Sequence, residues 1–306
     1  MELTRGPDRV GSGTPQPVRR ALALAAALLL AVAGCSADVG EPVAAERPVP
    51  ELYVALGDSF TAAPYVPSTS LADGCFRSDG NYPQIIAAEL GAELVDVSCS
   101  GADTSDLTGE QSVAGGRGTV PPQLDAVTDD ADLVTVGIGG NDRNLFRNLV
   151  HRCTAVADVP GTPCADQLEA EYGDVGKVVK RIGDRVAGVI DEVRAAAPDA
   201  RVVLVGYPRM VAADDPCPAI PLAPGDLPWL AGMERKLNQA LRGAARRGGA
   251  EFADLHRAST GHEICSDAPW VNGRRTDQAR ALAFHPFPEG QGAVADAVLD
   301  LLDARS

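Results

Sequence analysis

Basic residues are scarce: 27 Lys and Arg stand against 42 Asp and Glu in a chain of 306 residues, a formal charge of −15. This deficit removes the electrostatic term on which non-specific phosphate binding depends, so no nucleic acid is expected as a partner. Apolar runs of membrane-spanning length are missing as well, since the run from Ala21 to Ala33 is too short for a comfortable span. There is no C-x-x-C and no paired Cys/His spacing, which argues against structural zinc. No internal repeat occurs, and no compositional bias of the kind that marks disordered or collagenous chains.

What remains is a chain that is 45% hydrophobic and 23% charged, enough for one large α/β domain or two small ones. Its first residues need separating. Arg19-Arg20 followed by the Ala21 to Ala33 run reads as the charged and hydrophobic regions of a secretory signal. The run ends in Val32-Ala33-Gly34-Cys35, which resembles the lipobox of bacterial lipoproteins, where the cysteine thiol carries a diacylglyceryl group. That resemblance implies a lipoprotein signal peptide over residues 1–34, lipidation of Cys35, and a membrane partner through that lipid at the outer face of the cell membrane. The alternative is cleavage at an ordinary small-residue site with Cys35 incidental, and a secreted product. Residues 35–50, rich in Ala, Pro, Glu and Val without periodicity, read as a flexible tether to a domain spanning 51–306. Apart from Cys35 there are six cysteines, Cys75, Cys99, Cys153, Cys164, Cys217 and Cys265. An even count in an exported chain favours disulfides, and spacing alone does not choose among the pairings.

From Leu52 onward, short apolar runs alternate with helix-like stretches. Strands are expected at Leu52–Leu56, Leu94–Val97, Leu133–Ile138, Val202–Val205 and Phe252–Leu255, nearly continuous in Val and Leu as parallel strands covered on both faces should be. Val175, Val178, Val179, Ile182, Val186, Val189, Ile190 and Val193 fall on one helical stripe. Trp229, Met233, Leu237 and Leu241 make a second helix, and Val294, Val298, Leu301 and Leu302 a third. The order implies a doubly wound, flavodoxin-like parallel sheet of about five strands in a three-layer α/β/α arrangement, with its site at the carboxyl ends of the strands.

Three of those ends carry chemistry. The first runs into Gly57-Asp58-Ser59-Phe60, the second into Ser98-Cys99-Ser100-Gly101-Ala102, and the third into Gly139-Gly140-Asn141-Asp142. Read singly they are a helix cap, a loop and a turn. Taken in order, together with His285-Pro286, they resemble the blocks of the SGNH (GDSL) hydrolase family, over roughly residue 51 to the C-terminus. The nearest approach to G-x-S-x-G, Ser98 to Ala102, lacks its first glycine, so the nucleophile elbow of α/β-hydrolases is not supported.

The resemblance implies an esterase or lipase in which Ser59 attacks an ester carbonyl. The N–H groups of Ser59 and Gly101 and the side-chain amide of Asn141 would receive the oxyanion, and His285 would act as general base, with His256 as runner-up. No metal or cofactor enters this chemistry. His151 and His262 read as surface loop residues, and the segments 143–174 and 209–228 as loops walling the cleft. One departure stands out: many family members carry Asp three residues before the histidine, whereas this chain has Leu282. The stretch from Cys265 through Pro269-Trp270-Val271-Asn272-Gly273 resembles secreted bacterial members with three disulfides, which orient the histidine with a backbone carbonyl. Leu282 or Ala283 would supply it here, with Asp277 and Asp254 as alternative carboxylates. The same branch implies sequential pairs Cys75–Cys99, Cys153–Cys164 and Cys217–Cys265. An acyltransferase or carbohydrate deacetylase would use the same site, and a non-catalytic envelope-binding lipoprotein is the reading that leaves those four blocks unexplained.

Overall fold

In the computed structural model, residues 49–303 are described; the expected signal segment, Cys35 and almost all of the expected tether lie outside the described residues. The chain runs β1 (Leu52–Gly57), α1 (Ser59–Ala62), α2 (Tyr82–Leu90), β2 (Glu93–Asp96), a small antiparallel ribbon of β3 (Gln111–Ser112) and β4 (Thr119–Val120), and β5 (Leu133–Gly137). It continues through α3 (Leu145–Ala155), α4 (Pro163–Tyr172), α5 (Val175–Ala196), β6 (Arg201–Val205), α6 (Asp226–Gly248), β7 (Glu251–Ala253), α7 (Leu255–Ala258) and α8 (Pro288–Asp303).

Alternation of side chains along the strands explains the layering. Val54 and Leu56 of β1, Val134 and Val136 of β5, and Val202 and Leu204 of β6 enter one apolar cluster, shared with α3 to α6. Their neighbours Tyr53, Ala55, Leu133, Val203 and Val205 enter the opposite cluster with α2 and α8. Both faces of the sheet are therefore covered, and the strands are apolar throughout because neither face meets water. The expected stripe on α5 is buried along its length, and Asp174 starts the helix by accepting from the Lys177 N–H at 3.0 Å.

The sheet order is β2-β1-β5-β6-β7, parallel throughout. The chain steps from β1 outward to β2 and then returns past β1 to β5, so the topological switch point lies between β1 and β5, where such sheets open a crevice. The segments after these two strands are those bearing Ser59 and Asn141. All five expected strands are present within a residue or two of their expected ends. Residues 143–174 differ from the expectation: they form α3 and α4 rather than a loop, and His151 accordingly lies on α3. Pro160, Gly161 and Pro163 interrupt the apolar spacing there, and Pro163 opens α4 at its first turn.

Three disulfides join Cys75 to Cys99, Cys153 to Cys164, and Cys217 to Cys265. The first ties the β2 exit to the segment after α1, the second links α3 to α4, and the third links the 209–228 and 259–287 segments. No helix among the described residues is long and apolar enough to cross a membrane.

Candidate active site

Ser59 is delivered by the end of β1. Gly57 is required there: a Cβ at this position would sit 2.1 Å from Thr61 Oγ1 and 2.8 Å from the Gly137 carbonyl. The Gln123 side-chain amide pins the same residue from both sides, accepting from Gly57 N–H at 2.7 Å and donating to Gly57 O at 3.0 Å. Asp58 then caps α1 by accepting from Phe60 N–H at 2.9 Å, and Ser59 emerges as the first helical residue, 7% exposed.

The final loop brings His285 onto it. Nε2 of His285 lies 2.7 Å from Ser59 Oγ, and Nδ1 lies 2.7 Å from the Ala283 carbonyl. A carbonyl only accepts, so Nδ1 carries the hydrogen and Nε2 is the acceptor for the serine O–H. Burial drives the His285 pKa down to about 4, against the opposing pull of the Ala283 carbonyl, so the ring is neutral and able to take a proton at neutral pH. Phe60 and Phe146 enclose it, with ring centroids 5.2 and 5.9 Å away.

The loop that offers Ala283 O is itself tied down. Asn272 donates its side-chain amide to the carbonyls of Arg275, Ala281 and Leu282 at 2.8, 3.0 and 3.2 Å, and its backbone N–H to His285 O at 2.9 Å. Phe284 takes a φ of 60°, and this local reversal puts Ala283 rather than Leu282 at Nδ1, while Leu282 O accepts from the His285 N–H at 3.1 Å. The alternative carboxylates are elsewhere. Asp277 is exposed and accepts from Ala279 N–H at 3.0 Å. Asp254 caps α7 and pairs with Arg242. His256 sits on α7, where its carbonyl accepts from Arg209 Nε at 2.9 Å, and His262 stacks on Trp270 with centroids 4.2 Å apart. Among the described residues, only the His285 ring meets the Ser59 hydroxyl.

Asn141 lines the same cleft as Ser59, and Gly101 lines a neighbouring recess with Asn141. Asn141 donates one amide hydrogen to Ala102 O at 2.9 Å, which orients the side chain and leaves the other hydrogen free. Gly101, exposed and at φ +86°, presents its N–H without a Cβ to shield it. Neither the Ser59 nor the Gly101 N–H has an acceptor among the described residues. Asp142, fully buried, accepts from Thr104 N–H and Oγ1 at 2.9 and 2.8 Å and so fastens the Asn141 turn to the Gly101 segment.

Tyr207, at the exit of β6, was not singled out in the sequence. Its hydroxyl donates to Asp58 Oδ2 at 2.5 Å and accepts from Gly140 N–H at 2.9 Å, bridging the turns that carry Ser59 and Asn141. Burial raises the Asp58 pKa to about 7, with Tyr207 and the Phe60 N–H pulling it back. The only hint in the sequence was position: Tyr207 follows a strand at the same edge of the sheet as the other site residues.

Beside Ser59 opens a cleft of about 820 Å³, counting its mouth. Its walls are overwhelmingly apolar and come from α3 (Leu149, Val150), α6 (Met233, Leu237) and the 209–228 segment (Met210, Ile220). A serine hydroxyl and a neutral imidazole in contact, an amide with a free hydrogen lining the same cleft and an adjoining apolar trough form an arrangement able to perform acyl transfer.

Comparison with known proteins follows the same line. Residues 55–293 match the model of the GDSL-like Lipase/Acylhydrolase family. The chain is 35% identical over 303 residues to lipase 2 of Streptomyces coelicolor, covering 94% of this chain and 99% of that one. Among solved structures it is similar to phospholipase A1 from Streptomyces albidoflavus NA297, with a TM-score of 0.68 and 28% identity over 84% of this chain and 100% of that one. It is also similar to an extracellular lipase from Streptomyces rimosus, with a TM-score of 0.67 and 26% identity over 82% and 99%.

Proposed function

The chain belongs to the GDSL-like lipase/acylhydrolase family and is a carboxylic ester hydrolase, and from that premise we propose that it is an extracytoplasmic serine esterase or lipase working through an acyl-enzyme on Ser59. The observation that carries the reading is the Ser59 Oγ to His285 Nε2 contact of 2.7 Å, with the imidazole tautomer set by Ala283 O.

In acylation, Ser59 Oγ adds to the ester carbonyl as His285 Nε2 takes its proton. The oxyanion is received by the Ser59 and Gly101 N–H groups and the Asn141 amide. Collapse breaks the bond to the alcohol oxygen, which leaves with the proton from Nε2. Water then repeats the sequence, its proton going to Nε2, and the acid is released with Ser59 restored. Ser59 and His285 act here as a dyad: Ala283 O orients the ring without supplying a full charge. The acyl chain occupies the apolar cleft between α3 and α6.

Placement outside the cytoplasm is supported by three disulfides, which persist in oxidising compartments. Residues 1–34 act as the signal, Cys35 carries the lipid, residues 35–50 are the tether and 51–306 the hydrolase domain. A fluorophosphonate serine probe followed by a panel of p-nitrophenyl esters tests the chemistry: labelling at Ser59 and turnover of esters are expected, and unimpaired ester turnover by Ser59→Ala contradicts it. Intact-mass measurement of the membrane fraction tests the anchor, for which an unmodified Cys35 would be contrary.

A further inference from the structure

The Asn141 amide is oriented by its own hydrogen bond to Ala102 O, whereas the Gly101 N–H belongs to a peptide in an exposed turn, with a φ of +86° at the glycine. Glycine restrains its backbone less than any other residue, so the direction of that N–H has to be fixed by contacts to the peptide itself. Backbone contacts hold the neighbours on either side: Ser100 N–H donates to Cys75 O at 2.9 Å, and Ala102 N–H to Cys99 O at 3.1 Å. The Ser100 carbonyl, which shares a peptide with the Gly101 N–H, is taken instead by a side chain, Gln111 Nε2, which donates to it at 3.0 Å. A trans peptide is planar, and its C=O and N–H point in opposite directions. Holding Ser100 O on Gln111 therefore turns the Gly101 N–H away from Gln111. Gly101 lines the recess that it shares with Asn141, and Gln111 is not part of that lining.

The burial of Gln111 adds a second observation. The residue is 5% exposed, and its Oε1 is buried without a hydrogen-bond partner among the described residues. An unpaired buried acceptor destabilises a fold, so packing alone would be better served by an apolar side chain of the same size. The elements that carry Gln111 point the same way. Strand β3 pairs with β4 for only two residues, Gln111 with Val120 and Ser112 with Thr119, outside the main sheet. This ribbon is fastened by an apolar cluster of Cys75, Cys99, Val113 and Val120, which includes the Cys75–Cys99 disulfide. Cys99 directly precedes Ser100, so one cross-link anchors both the peptide and the ribbon whose side chain grips it.

We propose that Gln111 is a positioning residue for the oxyanion: by holding the Ser100 carbonyl it aims the Gly101 N–H at the ester oxygen as negative charge develops there. Donation to Ser100 O also polarises the peptide, which strengthens its N–H as a donor. The proposal rests on the reading of Ser59 as nucleophile with the Gly101 N–H as an oxyanion donor. It gives the β3–β4 ribbon, which carries none of the reacting groups, a part in the reaction.

The test measures kcat and KM for a neutral p-nitrophenyl ester, with folding checked by circular dichroism. Gln111→Met keeps the size of the side chain and removes the donor. It should lower kcat about tenfold, less than the roughly 10²–10³ that loss of a whole oxyanion donor costs, with KM little changed. Gln111→Glu supplies a readout that packing alone would not move, and it decides the matter if Gln111→Met does not fold. Its ionised carboxylate repels Ser100 O, and its protonated form regains an O–H donor. Burial raises a carboxyl pKa, so its kcat/KM should climb toward that of the wild type as pH falls from about 9 to about 5.5. Charged groups on the adjoining segments are Arg77, bound to Asp73 and Ser98 O, Asp103 and Asp106 in their own loop, Glu110 beside Thr119, and Arg117 on Leu71 O. The wild type carries them too, so the difference between the two profiles reports the new carboxyl. Wild-type kcat in Gln111→Met, or a low Gln111→Glu activity that acid does not relieve, overturns the positioning role, while a slow Asn141→Ala and an inactive Ser59→Ala leave the underlying reading in place. Full turnover by Ser59→Ala would instead remove that reading, and the proposal with it.

Discussion

Acidification distinguishes a histidine held by a carbonyl from one held by a carboxylate. A carboxylate at Nδ1 stabilises the imidazolium and raises the pKa of the ring, whereas a neutral carbonyl leaves desolvation as the dominant influence. In this protein the ring is 6% exposed, Nδ1 meets only Ala283 O, and burial takes the pKa from 6.5 to about 4. At 1.36 kcal/mol per unit this favours the neutral base by about 3 kcal/mol. Because kcat/KM reports ionisations of the free enzyme, its acid limb for a neutral p-nitrophenyl ester, followed at the isosbestic wavelength of nitrophenol, should stay near its plateau to about pH 5.5 and reach half-maximum near pH 4 to 5. A half-maximum at about pH 6.5 or above would refute the argument. Stability must be followed in parallel by circular dichroism, since a depressed histidine pKa means the unfolded chain takes up the proton first. The stability contributed by His285 is thus present above pH 6.5 and lost as pH falls through the window toward 4. Asp58 acts oppositely: its pKa is raised from 3.8 to about 7, so its contribution is present in acid and lost as pH rises through that window.

The remaining expectations concern single groups. Asp277→Ala and Asp254→Ala should each keep most of the turnover, in contrast to the roughly 10⁴-fold loss that follows neutralisation of a triad aspartate, and a folded variant of either as inactive as His285→Ala would restore a displaced triad acid. With Asn141 as a proposed oxyanion donor, Asn141→Ala should lower kcat by about 10²–10³ with KM little changed; a loss confined to KM would assign Asn141 to ground-state binding. Ester hydrolysis should persist in EDTA, since nucleophile, base and donors all come from the chain, and abolition with rescue by added metal would be contrary.

Much of this site was legible because its parts sit at one edge of a regular scaffold. Parallel strands covered on both faces are apolar without interruption, so β1, β5 and β6 stand out, and the rule that doubly wound sheets place sites at strand exits pointed to Ser59, Gly101 and Asn141. Other parts escaped for physical reasons. The helices α3 and α4 are short and broken by Pro160, Gly161 and Pro163, so their apolar spacing never spans enough turns to register. Tyr207 acts through contacts to Asp58 and Gly140, 149 and 67 residues away in the chain, and no local pattern announces such a bridge. The choice between Leu282 and Ala283 depended on the left-handed turn at Phe284, a bulky residue in which that conformation is not expected. Asn272 was visible in the Pro-Trp-Val-Asn-Gly stretch, yet its role is three carbonyl contacts that exist only once the loop closes.

The central claim is covalent: the acyl group passes through Ser59. Acid quenching during turnover of a slowly deacylating p-nitrophenyl ester, followed by peptide mass spectrometry, should find the acyl mass on the peptide containing Ser59 and on no other. An acyl group mapped to a different residue, or steady turnover by Ser59→Ala with no adduct in either protein, would contradict the account.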